Sequence, residues 1–178
     1  MVTSPSSLPP RTTRQDDSPS IGTPPSSLPL WGRAGVGATA ADPAPVVLDT
    51  NIVLDLLIFR DPRSAELRAA LEAGRLRWLA TPPMRDELER VLDYPQIKPR
   101  LSHHGLSAET VLAAFDAWVS LRPVAPKAPY TCKDPDDQKF IDLAVAHQAA
   151  LLSKDKAVLV MRKRLLKLGV SLQLPTSA

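Results

Sequence analysis

The stretch Val46-Val47-Leu48-Asp49-Thr50-Asn51 is a short apolar run that ends on an aspartate. Three consecutive aliphatic residues without polar alternation read as a strand buried on both faces. The pattern then turns helical over residues 51–59, with apolar residues at Ile52, Leu54, Leu56, Leu57 and Phe59. Asp49 therefore stands where a strand hands over to a helix. Similar junctions return late in the chain, at Asp134-Pro135-Asp136-Asp137 and at Asp155. In a parallel sheet such junctions share one edge, so acids from distant sequence can meet there. Clustered carboxylates repel one another and persist with a cation or a shared proton. A metal-dependent enzyme is the leading expectation.

Working outward, strand-like and helix-like patterns alternate. Residues 63–73 read as a helix stopped by Gly74, and residues 76–80 as a strand. Thr81-Pro82-Pro83 then supplies a capping hydroxyl and first-turn prolines for a helix running to about Asp93. Ser107 caps a helix over residues 108–121. Beyond a proline-interrupted stretch come a helix at 136–148, a strand at 150–153, a helix at 156–168 and a strand at 170–174. Strands alternating with helices imply βαβ units and a parallel sheet covered on both faces.

Residues 1–45 differ in kind, holding nine of the 19 prolines and four of the seven glycines. Their few clustered apolar residues cannot offset the entropy of ordering, so disorder is expected. Pro5-Ser6-Ser7-Leu8-Pro9 recurs as Pro25-Ser26-Ser27-Leu28-Pro29, which two copies do not make into a solenoid. The segment reads either as a proline-rich ligand or as an extension without function. The remainder, residues 46–178, is expected to be one domain. Its +3 net charge suits nucleic acid without demanding it. The single cysteine, Cys132, excludes an internal disulfide and suits a reducing cytoplasm. No run of 18 apolar residues is present, so no membrane span is expected, nor is a secretory signal visible.

Helical geometry chooses among neighbouring acids. At about 100° per residue, Met84, Leu88, Val91 and Leu92 define one apolar face. Glu87 flanks that face, while Asp86 points nearly opposite and Glu89 lies farther round. In the later helix Phe140, Leu143, Ala144 and His147 face inward, Asp142 outward, and Asp137 lies one turn before Ile141. Taken singly, Asp49 reads as well as a helix cap as it does as a site residue, and Asp136, Asp137 and Asp155 read more readily as caps or dipole partners. Taken jointly, acids at three junctions plus Glu87 are hard to explain as independent caps. Oxygen-only ligands suit Mg²⁺ or Mn²⁺.

Four motifs in this order resemble the PIN-domain family, specifically its bacterial branch of VapC-like toxin components. They are Val47-Leu48-Asp49-Thr50-Asn51, then Pro83-Met84-Arg85-Asp86-Glu87-Leu88 with Val91-Leu92, then Lys133-Asp134-Pro135-Asp136-Asp137-Gln138-Lys139-Phe140, and Leu152-Ser153-Lys154-Asp155. The resemblance spans about residues 46–175. It implies a three-layer α/β/α sandwich, dependence on Mg²⁺ or Mn²⁺, endoribonuclease activity on RNA, a cognate antitoxin and frequent homodimers. By position it implies Asp49, Glu87, Asp137 and Asp155 as catalytic metal ligands, with Asp134 or Asp136 able to share the third role. Asn51 and Ser153 would support the site.

The last motif departs from the family's usual Thr-Gly-Asp with a second acid soon after. Here it is Ser153-Lys154-Asp155-Lys156. The flanking lysines would either grip a phosphate or oppose a metal ion. That departure motivates an alternative, a catalytically weak PIN-like RNA-binding or interaction module. A haloacid-dehalogenase-like phosphohydrolase also places an aspartate at a strand end, but it needs an acid two residues on, where this chain has Asn51. Arg162, Lys163, Arg164 and Lys167 read as a phosphate-backbone zone or simply a solvated face. Trp78 and Trp118 read as packing residues. His103 and His104 are expected in a polar loop, and His147 at the core's edge.

Overall fold

The computed structural model describes residues 42–175. The disorder expected for 1–45 thus falls almost wholly outside the described residues. The first strand, β1 (Ala44–Leu48), begins two residues before the run read from sequence. It is followed by α1 (Thr50–Leu54), whose last turn widens into a π-helical turn at Asp55–Phe59. Widening frees carbonyls from the regular ladder, and Arg68 donates to that of Leu56. A 3₁₀ turn (Pro62–Ser64) then leads into α2 (Ala65–Glu72).

Gly74 closes α2 at φ +65°, the left-handed conformation that glycine adopts without a Cβ penalty. The amides of Gly74 and Arg75 reach back to the carbonyls of Leu71 and Ala70 at 3.0 and 2.9 Å. There follow β2 (Leu76–Ala80), α3 (Pro82–Leu92), α4 (Lys98–His103), α5 (Ala108–Trp118) and β3 (Val119–Leu121). The chain closes with α6 (Gln138–Ala146), β4 (Ala150–Leu152), α7 (Lys156–Leu159), α8 (Arg162–Lys167) and β5 (Leu172–Gln173).

The five strands are all parallel, in the order β3-β2-β1-β4-β5. Val46, Val47 and Leu48 are at most 2% exposed, as expected for a central strand covered on both faces. Helix α6 packs on β1 and β4, α2 on β2, and α3 against α1 and α5. This is the expected three-layer α/β/α sandwich. Trp78 is a core residue, its ring edge-on to Phe115 at 5.0 Å between centroids. Trp118 is half-buried beneath the Arg68 guanidinium.

Several elements differ from their sequence reading. The helix expected over 108–121 stops at Trp118, and Val119–Leu121 pairs with β2 as an edge strand. Three residues show too little period to separate the two states, and the open edge of β2 decides. Helix α4 is an addition, so His103 and His104 end a helix rather than lie in a loop. The helix expected over 156–168 breaks at Val160-Met161 into α7 and α8, which lets Met161 enter the core. His147 is exposed at the end of α6, not at the core's edge. Asp142 does not face solvent. It is half-buried and accepts the Ala128 amide (2.8 Å) and the Gln138 side-chain amide (2.7 Å). Gln138 also accepts the Cys132 amide at 2.6 Å, so both residues fasten the 122–137 segment onto α6.

Candidate active site

The strand order makes β1 and β4 the switch point. The chain leaves β1 toward β2 and β3, then returns to the other side of β1 through β4. Crevices beyond the carboxyl ends of such strands are where α/β sheets bind ligands. Leu48 is in register with Leu152, so Asp49 and Ser153 leave the sheet side by side. The Asp49 amide continues the ladder to the Leu152 carbonyl at 2.9 Å.

Asp49 is 3% exposed and occupies the N-cap position of α1. Its carboxylate makes no full cap hydrogen bond and instead accepts the Ser153 hydroxyl at 2.6 Å. Capping alone therefore does not account for it. Burial raises its pKa above the ordinary value; Ser153 and the Asn51 backbone amide oppose the rise, and the charges of Asp155 and Glu87 add to it. Ser153 is fully buried, and its hydroxyl oxygen also accepts the Asp155 amide at 3.0 Å, so one side chain ties the ends of β1 and β4 together.

Asp137 sits at the N-terminus of α6 and likewise makes no cap bond. One carboxylate oxygen, Oδ2, is buried without a hydrogen-bond partner. Burial and the neighbouring charges of Asp49, Asp155 and Asp134 push its pKa up to about 7. Asp155 does cap its helix, accepting the Ala157 amide at 2.6 Å. Glu87 is half-buried on α3, with Thr50 donating to Oε1 at 2.7 Å and the Lys139 ammonium on Oε2. Asp49 thus lies within electrostatic reach of Glu87, Asp137 and Asp155, and Asp137 within reach of Asp155, at the switch point.

The remaining candidates stand farther out. Asp134 is exposed and folds its own loop by accepting the Asp136 amide at 2.9 Å, while its charge is felt at Asp137. Asp136 is exposed, and its carbonyl accepts from Lys139. Asn51 is exposed and lines a neighbouring cavity of about 460 Å³ with Asp55, Arg100 and Lys154. Lys154 turns away from Asp155 to pair with buried Asp55. Of the two readings for the lysines beside Asp155, opposition to a metal ion thereby loses one of its cations. Asp55, Thr50 and Lys139 were not singled out from sequence. For Asp55 a signal was present, a charge inside an otherwise apolar helix run.

The donor chemistry fits a hard divalent cation: carboxylate oxygens, mutual repulsion, and one buried oxygen left unpartnered. As they stand, no three His, Cys, Asp or Glu side chains among the described residues converge closely enough to hold a metal ion. Thr50, Lys139 and the Ala157 amide draw Glu87 and Asp155 to other partners.

Carboxylates gathered at the switch point of a parallel sheet define a strand-end site of the α/β class. The PIN domain family model matches residues 45–157, and the chain belongs to the PIN-domain family. PIN domains are generally nucleases, and such nucleases generally use divalent ions. No curated protein matches the chain by sequence. Among solved structures it is similar to VapBC2 from Rickettsia felis bound to a promoter DNA fragment. The identity is 14%, over 73% of this chain and 98% of that one, with a TM-score of 0.50. A PilT N-terminus domain protein from Sulfolobus solfataricus P2 is similar at 17% identity, over 74% and 87% of the two chains, with a TM-score of 0.38. At 14% identity the first likeness speaks for the fold. Among the described residues no helix is long and apolar enough to cross a membrane.

Proposed function

We propose that this PIN domain is an endoribonuclease dependent on Mg²⁺ or Mn²⁺, acting in the cytoplasm as the toxin of a toxin–antitoxin pair. The observation that carries the metal reading is Asp137, a carboxylate with a buried unpartnered oxygen, pushed up to about 7 by burial and by acidic neighbours. Such a site gains from a cation. Asp49 and Asp137 would be the principal ligands, Asp155 would complete the set, and Glu87 would bind the ion or orient the attacking water. When bound, a divalent ion lowers the pKa of water and neutralises charge on a phosphodiester. Ser153 holds Asp49 and the start of α7 in place, and Thr50 orients Glu87.

RNA as substrate rests on the family resemblance and on the modest positive charge of the body. An antitoxin partner is supported by the similarity to VapBC2, and a homodimer by the family resemblance. The nuclease domain, expected from residue 46, would begin with β1 at Ala44, and the residues before it would be a separate tail. Cleavage of single-stranded RNA by purified protein, with Mn²⁺ and with chelator, tests the activity. Asp49→Asn should abolish cleavage with the fold intact; full residual cleavage sinks the assignment.

A second reading, an RNA-binding module with weak or no catalysis, is favoured by the partners that Glu87 and Asp155 have already taken. Retained RNA affinity without Mn²⁺ binding would establish it in place of the first.

A further inference from the structure

Glu87 is the most fully partnered acid of the cluster. Thr50 donates to one oxygen and Lys139 pairs with the other. Lys139 is half-buried in the first turn of α6, two residues from Asp137. Its ammonium also meets the Asp136 carbonyl and lies 5.0 Å from the Phe140 ring centroid. A partly desolvated ammonium amid acids compensates their charge as a metal ion would. It also occupies Glu87 Oε2, an oxygen that a divalent ion would need.

We propose that Lys139 is the internal counter-cation of this site: it neutralises Glu87 in the metal-free protein and exchanges to an RNA phosphate when a divalent ion takes Glu87. The inference rests on the metal-nuclease reading and deepens it. An ammonium cannot follow Glu87 into a metal's coordination shell, because two cations repel. The released ammonium stays tethered at the start of α6, beside the acids, where a phosphodiester has to approach. Lys139 is thus a positioning residue in the metal-free state and a substrate contact in the loaded one.

Lys139→Met tests this, since methionine keeps an apolar stem on Phe140 and removes the charge. Mn²⁺ binding is measured by calorimetry, and binding of a cleavage-resistant 2′-O-methyl RNA is measured with Mn²⁺ present. The variant should bind Mn²⁺ roughly 2- to 5-fold tighter, the worth of one such ion pair. It should bind the RNA several-fold more weakly, with a salt slope shallower by about 0.7, the loss of one phosphate contact on a single strand. Lys139→Arg should restore RNA affinity. Unchanged or weaker Mn²⁺ binding by Lys139→Met, or RNA binding insensitive to it, overturns the proposal while leaving the metal-nuclease reading intact. A wild-type protein that binds no Mn²⁺ overturns both.

Discussion

Asp137→Asn should make the metal-free protein more stable at pH 8 and disable it as a metal site. The wild-type carboxyl has a folded-state pKa of about 7 against an ordinary value of 3.8. Between those two values the folded protein keeps the proton and the unfolded chain has lost it. Stability from this group is therefore fully present below about pH 4 and is lost as pH rises through about 7. At about 1.4 kcal/mol per pKa unit, a rise of about three units sets a ceiling of about 4 kcal/mol. Asp137 is only half-buried, and solvent screening reduces this to about 1–2 kcal/mol.

Asparagine has nearly the same shape and no charge, so it should recover that amount at pH 8 and only about a third of it at pH 5, where the pH has moved about a third of the way from 3.8 to about 7. At about 3–5 °C per kcal/mol for a domain of this size, the gain is a Tm rise of about 3–10 °C. Thermal melts by circular dichroism in chelator at both pH values measure it. Mn²⁺ at pH 8 should raise the Tm of the wild type and leave the variant's unmoved. A variant less stable than wild type at pH 8, or a gain equal at both pH values, would refute the reasoning.

Other substitutions bear on the same framework. Ser153→Ala removes the hydroxyl shared by Asp49 and the Asp155 amide; unfolding in urea should show a loss of about 1–3 kcal/mol at neutral pH, the penalty of a stranded buried acceptor. Lys154→Met leaves buried Asp55 without its cation and should cost a similar amount, about 1–3 kcal/mol. Most of that loss should return in the Asp55→Asn/Lys154→Met double variant, and a fully additive double variant would dismiss the pair as a stabilising unit. Gly74→Ala forces a Cβ into left-handed backbone and should cost about 1 kcal/mol with cleavage unaffected, because Gly74 leads into the amino end of β2, at the opposite end of the sheet from the acids.

Much of the frame was legible because its signals are local. The 46–48 run, the Thr81-Pro82-Pro83 start of α3 and Gly74 each carry their conformation in side-chain shape and backbone restriction. Alternation of strands and helices implied a parallel sheet, and helical angle set Glu87 and Asp137 apart from the acids beside them. Weak local signals misled: Val119-Ser120-Leu121 had too few residues to show a period, and α4 lies in a polar stretch between prolines and glycine. Asp142 read as an outward residue because its partners, Ala128 and Gln138, become neighbours only when the 122–137 segment folds back onto α6.

The sequence by itself determined the class of fold, the candidate acids and the oxygen-only chemistry they offer, since these depend on residue type and short-range period. Only the tertiary structure decided what each acid touches. Asp49 takes Ser153 across the sheet instead of capping its own helix, whereas Asp155 does cap. Lys154 turns to Asp55, and Lys139 reaches Glu87 from another helix. The reason is that charge pairing follows distance through space, and strand order brings the ends of β1 and β4 together although residues 49 and 152 lie 103 positions apart in the chain.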